Sequence, residues 1–293
     1  MRIRGREVGR GHPTYVVAEC GINHNGSFEI ACQLIDAAAK AGVGAVKFQK
    51  RTPFLSTPRA EWNRPKDTPW GQITYIEYRE RIELPIEEHY DLMKYAHELD
   101  LGFIDSVWDR RSLADVEGIG IDAIKIPSAL LTNLDLIDLA SKSVAPVILS
   151  TGMSTMQEIS TAVTIAQENR LLNQNAIAIL HCTSSYPCDP KELNLALIPA
   201  LKEMFPWAVI GYSGHEVGLA PTLSAVTLGA KIVERHITLD RSMWGTDQAA
   251  SVEPGGFARL VKDIRLIEQS LGNGIKRVYE SELPNLRKLR GVT

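Results

Sequence analysis

The feature that most constrains this chain is a recurrence of short, β-rich apolar runs, each followed by a longer stretch with helical spacing. Strands that alternate with helices in this way form parallel sheets. We predict an α/β fold, a closed (β/α)8 TIM barrel rather than an open doubly wound sheet, because eight such units fill the chain. The runs lie at 14–20, 44–50, 101–106, 122–126, 146–150, 176–182, 208–213 and 231–236, and helical patterns lie at 28–41, 86–99, 156–169, 193–205, 219–228 and 256–271.

The length of 293 residues would allow two average domains, but a single barrel of this type takes about 250 residues. We assign 14–272 to one barrel domain, 1–13 to an N-terminal, arginine-rich segment expected to be solvated, and 273–293 to a charged, helical tail. The interval 51–84 is too long for an ordinary loop. It predicts a lid or an oligomer contact at the barrel mouth, with a decorative surface loop as the alternative.

Charge and composition exclude several classes of function. Lys and Arg number 32 against 35 Asp and Glu, a net charge of -3, which argues against nucleic acid as a partner. No apolar stretch reaches the roughly 18 to 20 residues that span a bilayer, so we expect no membrane partner and a cytoplasmic location. The four cysteines show no CxxC spacing, and we expect reduced, mostly buried thiols.

Polar residues that are unusual in apolar strands concentrate at the carboxyl ends of the predicted strands. Because these ends open on one face of a barrel, we expect the side chains to meet there. Burying so many polar groups costs several kcal/mol each without partners, which favours a ligand site over structural salt bridges. The residues are Glu19, Asn23, His24, Lys47, Gln49, Asp105, Ser106, Lys125, Ser128, Ser150, Thr151, His181, Thr183, Ser184, Tyr186, Ser213, His215, Glu234 and His236.

Lys47 and Lys125 are candidates for an anion cradle, since ammonium groups and hydroxyl donors suit phosphate oxygens. The alternative for each lysine is an ion pair with a neighbouring carboxylate. The hydroxyl donors in this interpretation are those of Ser128, Ser150 and Thr183 or Ser184.

His215 and His236 end adjacent strands, beside Glu19 on the first strand. Two imidazoles, a carboxylate and open water positions suit a divalent first-row metal such as Mn, Fe, Co or Zn. Two structural histidines are the alternative. Asp247, in the loop after the eighth strand, lies above this proposed metal and is a candidate for binding sugar hydroxyls or for acid/base chemistry.

Eight motifs occur in order along the chain, and together they resemble the sialic acid synthase family, enzymes that condense phosphoenolpyruvate with an N-acetylhexosamine aldose. The motifs are Ala18-Glu-Cys-Gly-Ile-Asn-His-Asn-Gly26, Val46-Lys-Phe-Gln49, Lys125-Ile-Pro-Ser128, Leu149-Ser-Thr-Gly-Met153, His181-Cys-Thr-Ser-Ser-Tyr-Pro187, Gly211-Tyr-Ser-Gly-His215, Glu234-Arg-His-Ile-Thr-Leu-Asp240 and Gly245-Thr-Asp-Gln-Ala-Ala-Ser251.

The resemblance implies that His215 and His236 hold the divalent metal, with manganese as the first choice and magnesium, cobalt or zinc as alternatives. In the family the enol carbon attacks the open-chain aldehyde, and water adds before phosphate leaves by C–O cleavage. Glu19 would be the acid/base or water-orienting group, and Tyr186 and Asp247 would face the sugar. Catalytic roles are assigned to Glu19, Lys47, Lys125 and Asp247, and substrate binding to Asn23, Gln49, Ser106, Ser128, Ser150, Thr183, Ser184, Tyr186 and Ser213.

Two departures from the family pattern concern the sugar. Family members follow the barrel with a small antifreeze-like domain whose arginine reaches the partner subunit's sugar site, whereas this chain stops at residue 293, so the homodimer is a candidate only. Leu130 stands where the family has an acidic residue, and it cannot accept a hydrogen bond from a sugar hydroxyl or amide. The segment 104–106 also differs from the hydroxyl-rich family version. Phosphoenolpyruvate is therefore better supported than N-acetylmannosamine.

Three other functions are alternatives for this sequence. The chain could be a related condensing enzyme acting on another aldose or an aldose phosphate, which the change at Leu130 favours. It could be a Schiff-base aldolase that uses Lys125 or Lys47. It could also be a non-catalytic barrel subunit, although a pure scaffold has no need for a costly polar mouth.

Overall fold

The computed structural model of this protein describes residues 1–173 and 177–291, in which eight parallel strands form a closed barrel. The eighth strand pairs with the first from Ile232 with Tyr15 to His236 with Glu19, which closes the sheet. The predicted (β/α)8 fold is therefore confirmed. The strands are β1 (Tyr15–Gly21), β2 (Ala45–Lys50), β3 (Gly102–Val107), β4 (Ala123–Ile126), β5 (Val147–Ser150), β6 (Ile177–Cys182), β7 (Val209–Gly214) and β8 (Ile232–His236).

Helices follow every strand, and several of them begin at a side chain that caps the free N–H groups of the first turn. Ser27 accepts a hydrogen bond from Ile30 before α1, and Asp109 accepts one from Ser112 before α5. The helices are α1 (Phe28–Ala41), α2 (Pro53–Ser56), α3 (Tyr75–Arg81), α4 (Ile86–Glu98), α5 (Arg110–Ile119), α6 (Leu134–Lys142), α7 (Met156–Asn173), α8 (Leu197–Met204), α9 (Ala220–Thr227), α10 (Pro254–Leu271) and α11 (Leu283–Arg290).

The predicted boundaries agree with these elements, apart from small shifts. The strands match to within one residue at each end, and the sixth predicted run began at residue 176, which lies outside the described residues. The helix predicted over 193–205 is shorter, because Pro190–Glu192 forms a separate 3-10 turn and α8 starts at Leu197. The predicted tail helix is present as α11, and its side chains are largely exposed.

The N-terminal segment closes the bottom of the barrel, and the expectation that it is merely solvated was wrong. Arg2–Ile3 and Arg6–Glu7 form a two-stranded hairpin, and Ile3, with no exposed surface, packs inside the barrel with Val8. The arginines attach the hairpin to the outer layer of helices, since Arg4 Nη2 donates to the carbonyl of His97 in α4 over 2.8 Å. Apolar burial and these bonds together hold the hairpin in place.

The 51–84 insertion packs on the loop that follows β8. It contains α2, a hairpin of Pro65–Thr68 with Gly71–Thr74, and α3. Trp244 of the β8 loop contacts Trp70 and Tyr78 edge to face, with ring centroids 5.6 Å and 5.7 Å apart. The insertion thus lies beside the carboxyl ends of the strands, while its role as a lid or an oligomer contact stays a prediction.

None of the helices within the described ranges combines the length and the apolar character that crossing a bilayer requires.

If the hairpin is a structural plug, Ile3→Ala should lower the free energy of unfolding by about 2 to 4 kcal/mol, because it leaves a cavity in the barrel interior. Urea denaturation measures the change. Ile275→Ala is the matched control, since Ile275 is 68% exposed, and it should change stability by less than about 0.5 kcal/mol. Equal effects of the two substitutions would contradict the plug.

Candidate active site

Two lysines form the floor of the site inside the carboxyl end of the barrel. Lys47 on β2 and Lys125 on β4 are 3% and 2% exposed. Successive strand residues point to opposite faces, so alternate positions of a barrel strand point inward. This alternation brings Lys47 and Gln49 to the interior from β2, and Glu234 with His236 from β8.

The two ammonium groups are held by two carboxylates. Lys47 Nζ lies 2.6 Å from Glu19 Oε2 and 3.7 Å from Glu234 Oε1, and it donates to Ser106 Oγ over 2.7 Å. Lys125 Nζ donates to Glu234 Oε1 and Oε2 over 2.9 and 3.0 Å. With two cations and two anions, the floor is electrically balanced, so these charges are tolerated away from water.

The two carboxyl groups differ in acidity. Burial raises the pKa of Glu19 to about 7, against the opposing effect of Lys47. Burial also acts to raise the pKa of Glu234, but the adjacent Lys125 and Lys47 outweigh it and hold that pKa below its ordinary value. Glu19 can therefore gain or lose a proton near neutral pH, while Glu234 stays ionised as the counter-ion of both lysines.

One cavity of about 240 Å³ opens above this floor. Most of the predicted site residues line this cavity, together with several side chains for which we predicted no role. Predicted residues on the wall are Glu19, Lys47, Gln49, Ser106, Lys125, Ser128, Ser150, Ser184, Tyr186, Ser213, His215 and His236; the others are Trp108, Pro127, Ala129, Met153, Cys182 and Glu234.

Hydroxyl groups form the side of the cavity next to Lys125. Ser150 Oγ is buried without a hydrogen-bond partner, and Ser128 Oγ accepts a bond from the Gly152 amide over 3.0 Å. A Cβ at Gly152 would lie 2.2 Å from Ser184 Oγ, so only glycine permits the hydroxyls to crowd together here. A buried donor without a partner beside a lysine suits an anionic ligand.

The two predicted metal ligands lie side by side at the cavity wall. The rings of His215 and His236 have centroids 5.5 Å apart. His215 Nδ1 donates to the Thr183 carbonyl over 2.9 Å, so Nε2 is the atom that could bind a cation once it has lost its proton, and His236 Nδ1 is buried without a partner. Burial acts to lower the pKa of His215, but its interactions with Cys182 outweigh this effect and raise that pKa. Burial lowers the pKa of His236 to about 4 despite the nearby carboxylate of Asp247, so its imidazole is neutral at pH 7, as a metal ligand must be.

The pair therefore fits a divalent cation as a two-ligand site whose other positions would go to water and substrate. Within residues 1–173 and 177–291, no group of three or more His, Cys, Asp or Glu side chains is arranged to hold a metal ion. Asp247 Oδ2 lies 3.8 Å from His236 Nδ1, beyond a direct bond, and Tyr186 stacks on His215 with centroids 4.0 Å apart. Open positions of this kind are typical of catalytic rather than structural metal sites.

Three predicted residues do not line the cavity. The Asn23 amide donates to the Ile237 carbonyl and to Ser251 Oγ, so it supports the loop after β8 instead. Thr183 Oγ1 donates to the Glu192 carbonyl, and only its backbone carbonyl serves the site, through His215. Asp247 lies behind His236, at the rim.

Leu130 packs against the hydrophobic core, whereas Ser128 and Ala129 of the same turn reach the cavity. The expectation that a sugar contact is missing or replaced at Leu130 stays a prediction. The role of Glu234 was missed, although its position two residues before His236 in a strand places both on one face.

The comparisons with known proteins agree with this fold. Residues 34–276 match the model of the NeuB family. The chain is 36% identical to human (Homo sapiens) N-acetylneuraminate-9-phosphate synthase over 97% of its own length and 79% of that protein, and 36% identical to N,N'-diacetyllegionaminic acid synthase of Campylobacter jejuni over 94% and 83%. The crystal structure of sialic acid synthetase from Leptospira borgpetersenii, in complex with citrate, superposes with a TM-score of 0.86 and 30% identity, covering 99% of this chain and 97% of that one.

The fold and the cavity define a (β/α)8 barrel with two buried, ion-paired lysines at the floor of its cavity. The chain belongs to the NeuB family, which confirms the resemblance seen in its motifs. It is accordingly an enzyme of the sialic-acid type of synthase, which condenses phosphoenolpyruvate with a sugar.

Glu234→Gln tests the charge balance of the floor, since it leaves the Lys125 ammonium buried without its counter-ion. The free energy of unfolding should fall by about 3 to 5 kcal/mol. In the double variant Lys125→Met/Glu234→Gln both charges are gone, and the loss should be smaller than the sum of the single losses by on the order of 1 to 3 kcal/mol.

Urea denaturation of the four proteins completes this double-mutant cycle. The exposed pair Lys142 and Asp138, 2.6 Å apart, is the control, and its cycle should give a coupling of about 0.5 kcal/mol or less. Additive losses in the buried pair would show that Glu234 and Lys125 do not depend on each other.

Proposed function

We propose that this enzyme joins phosphoenolpyruvate to the open-chain form of an N-acylated amino hexose, releases phosphate by C–O cleavage, and requires a divalent cation held by His215 and His236. The observation that carries the proposal is the floor of Lys47 and Lys125 with unpartnered Ser150 beside it. It provides fixed positive charge and a free hydroxyl donor for an anion as small as phosphoenolpyruvate.

The positions of the lysines support two anchoring points for this substrate. Lys125 lies next to the hydroxyl wall of Ser128, Ser150 and Ser184, which suits the oxygens of a phosphate. Lys47 lies between Glu19 on β1 and Ser106 on β3. With the phosphate end of phosphoenolpyruvate at Lys125 and its other end at Lys47, the enol carbon is held in one orientation toward the sugar, which lowers the entropic cost of the reaction.

The histidines, in the proposed enzyme, hold a divalent cation, of which manganese is the first candidate. Such a cation, when bound, acts as a Lewis acid toward the aldehyde oxygen of the sugar. Tyr186 lies against His215 in the cavity wall, where it would orient the sugar above the floor. Asp247 Oδ2 lies 3.8 Å from His236 Nδ1 and outside the cavity wall, so a contact of Asp247 with the sugar has less support.

The bonds change as follows in the proposed reaction. C3 of phosphoenolpyruvate attacks the aldehyde carbon, so a C–C bond forms and the aldehyde oxygen takes up a proton. Water adds to C2 and loses one proton, and the hydroxyl formed on C2 gives its remaining proton to the leaving phosphate as the C2–O bond to phosphate breaks and the keto group forms. Glu19, with a pKa of about 7, accepts the proton that water loses on addition, and this proton balances the one that the aldehyde oxygen takes up, so the two protons of water end on the new hydroxyl group and on phosphate.

A Schiff-base mechanism finds less support in this geometry. A lysine must lose its proton before it can attack a carbonyl. Burial acts against the charge of Lys47, but Glu19 and Glu234 outweigh it and raise its pKa, so this amine stays protonated. The ammonium group of Lys125 donates to both carboxylate oxygens of Glu234 in the free enzyme, so these bonds would have to break before it could attack a carbonyl.

We further propose a cytoplasmic location. All four cysteines, Cys20, Cys32, Cys182 and Cys188, are free thiols. Free buried thiols are typical of proteins kept in a reducing compartment.

The aldose can be identified by incubating the enzyme with phosphoenolpyruvate, manganese and a panel of N-acylated hexoses with and without a 6-phosphate, alongside phosphorylated pentoses and tetroses. We expect phosphate release with an N-acylated hexose and a product whose mass is the sum of both substrates and water, less phosphate. With phosphoenolpyruvate labelled with ¹⁸O at the bridging oxygen, the label should leave in the phosphate.

The control is Lys125→Met, which should reduce turnover by about a hundredfold or more, since it removes a fixed charge from the anion site. A protein that binds phosphoenolpyruvate yet turns over no aldose of the panel would refute the proposed reaction. Label retained in the keto acid would refute C–O cleavage.

Metal removal tests the cation requirement. Dialysis against EDTA should lower the rate by about a hundredfold or more, and manganese should restore it, because a Lewis acid contributes several kcal/mol to such a reaction. His215→Ala and His236→Ala should abolish this restoration without loss of the fold. His12→Ala, at the opposite end of the barrel, should behave like the wild type. Full activity of either site variant would overturn the metal assignment.

A further inference from the structure

The backbone alone does not determine the separation of His215 and His236. The pairing of β7 with β8 runs from Tyr212 with Val233 to Gly214 with Arg235, and it ends one residue before each histidine. Beyond that point the chain after β7 turns into the loop that leads to α9. The Cys188 amide donates to the His215 carbonyl over 3.1 Å, which holds this backbone to the loop after β6 but not to β8.

The residues next in sequence to the two histidines form a buried ion pair. Glu216 follows His215, Arg235 precedes His236, and Arg235 Nη1 donates to Glu216 Oε1 over 2.8 Å. Arg235 Nη2 also donates to the Glu216 carbonyl over 2.6 Å. The guanidinium therefore binds both the side chain and the backbone of the residue beside His215.

The same guanidinium extends this attachment into the following loop and helix. Arg235 Nη1 donates to the Gly218 carbonyl over 2.9 Å and to Thr222 Oγ1, in the first turns of α9, over 2.8 Å. The Glu216 carboxylate accepts bonds from Tyr212 on β7 and from Thr222, over 2.8 and 2.6 Å. Both charged groups are thus surrounded by partners.

This cluster lies on the face of the barrel opposite to the cavity. Glu234 and His236 face the cavity, so Arg235 between them faces the helices. Arg235, Glu216 and Thr222 are almost wholly buried, and a Cβ at Gly214 would lie 2.4 Å from Glu216 Oε2. Glycine at position 214 therefore leaves the room that the Glu216 carboxylate needs.

Stability alone does not explain an ion pair at this place. Burying two charges costs several kcal/mol per ion, and well-packed apolar side chains of similar volume often give equal or greater stability. The guanidinium differs from an apolar group in its geometry, since its planar fork binds several oxygens in fixed directions. Its specific effect here is to fix the strand end that carries His236 to the loop that carries His215.

We propose that Arg235 and Glu216 are positioning residues that set the separation of His215 and His236 for a divalent cation. The inference rests on the proposed metal site and adds to it the residues that determine its geometry. Partners behind metal ligands commonly contribute about ten- to a hundredfold to metal affinity, and the pair should act on affinity for the cation more than on binding of phosphoenolpyruvate.

The test measures the dissociation constant of manganese directly, from the EPR signal of the free ion, in the full-length protein without substrates. Arg235→Lys keeps the charge but loses the fork, and Glu216→Gln keeps the shape but loses the charge. Each should weaken manganese binding by about ten- to a hundredfold. The dissociation constant of phosphoenolpyruvate, measured by calorimetry, should stay unchanged.

Glu83→Gln is the matched control, since Glu83 forms another buried pair with Lys50, 2.6 Å away, that contacts neither histidine. It should lower the thermal midpoint without changing the affinity for manganese. Thr222→Val, a milder change, removes one hydroxyl from the cluster and keeps the proposal testable if the charge variants do not fold. It should weaken manganese binding without weakening phosphoenolpyruvate binding.

Two failures can be told apart by including His236→Ala. If that variant binds manganese as tightly as the wild type, the proposed metal site is wrong and the positioning role falls with it. If His236→Ala abolishes binding while the folded variants of Arg235, Glu216 and Thr222 bind manganese normally, the positioning role alone is overturned. The positioning role is also overturned if these variants are less stable than the wild type but bind manganese with unchanged affinity.

Discussion

The rest of this structure depends on keeping two lysine ammonium groups charged inside a protein. Lys47 and Lys125 lie where water cannot solvate them, and Glu19 and Glu234 supply the opposite charge within 3.0 Å of each. This requirement divides the barrel interior into two halves. The lower half is apolar and is completed by Ile3 and Val8 of the hairpin, whereas the upper half is polar and open to a ligand. An anion that enters the cavity meets positive charge already held in place, so little reorganisation is needed on binding.

The order of strands and helices could be predicted from sequence because strands of a parallel barrel are buried on both faces and read as short apolar runs. Val147–Ser150 shows this pattern even though it is only four residues long. The N-terminal hairpin could not be predicted in the same way. Strands of two residues have no periodicity, and the arginines around Ile3 resemble a solvated segment. Its burial depends on the open end of a barrel that the rest of the chain forms.

The cavity residues were predictable where they end strands, since the strand direction decides that Lys47, Ser150 and His236 meet at one face. Loop residues were predictable only in part, because the direction of a loop side chain depends on its partners: Ser184 and Tyr186 do line the cavity. Asn23 and Thr183 are close in sequence to the site, yet their polar groups bond to neighbouring loops. Of the two interpretations of the lysines, the ion pairs are observed, since Glu234 binds Lys125, while the anion cradle stays a prediction that the unpartnered Ser150 hydroxyl supports.

Strands and loops contribute different parts of the candidate site, which suggests how one family can make different sugar acids. The charged floor comes from strand residues, whose positions the barrel hydrogen bonds determine, and in the proposed reaction it holds the substrate that carries the enol carbon. The surroundings of the proposed sugar position come from loops, with Tyr186 after β6 in the cavity wall, and Asp247 after β8 and the 51–84 insertion outside it. Loops vary with little effect on the barrel. Substitutions in these segments can therefore change the aldose while the anion site and the two histidines keep their geometry.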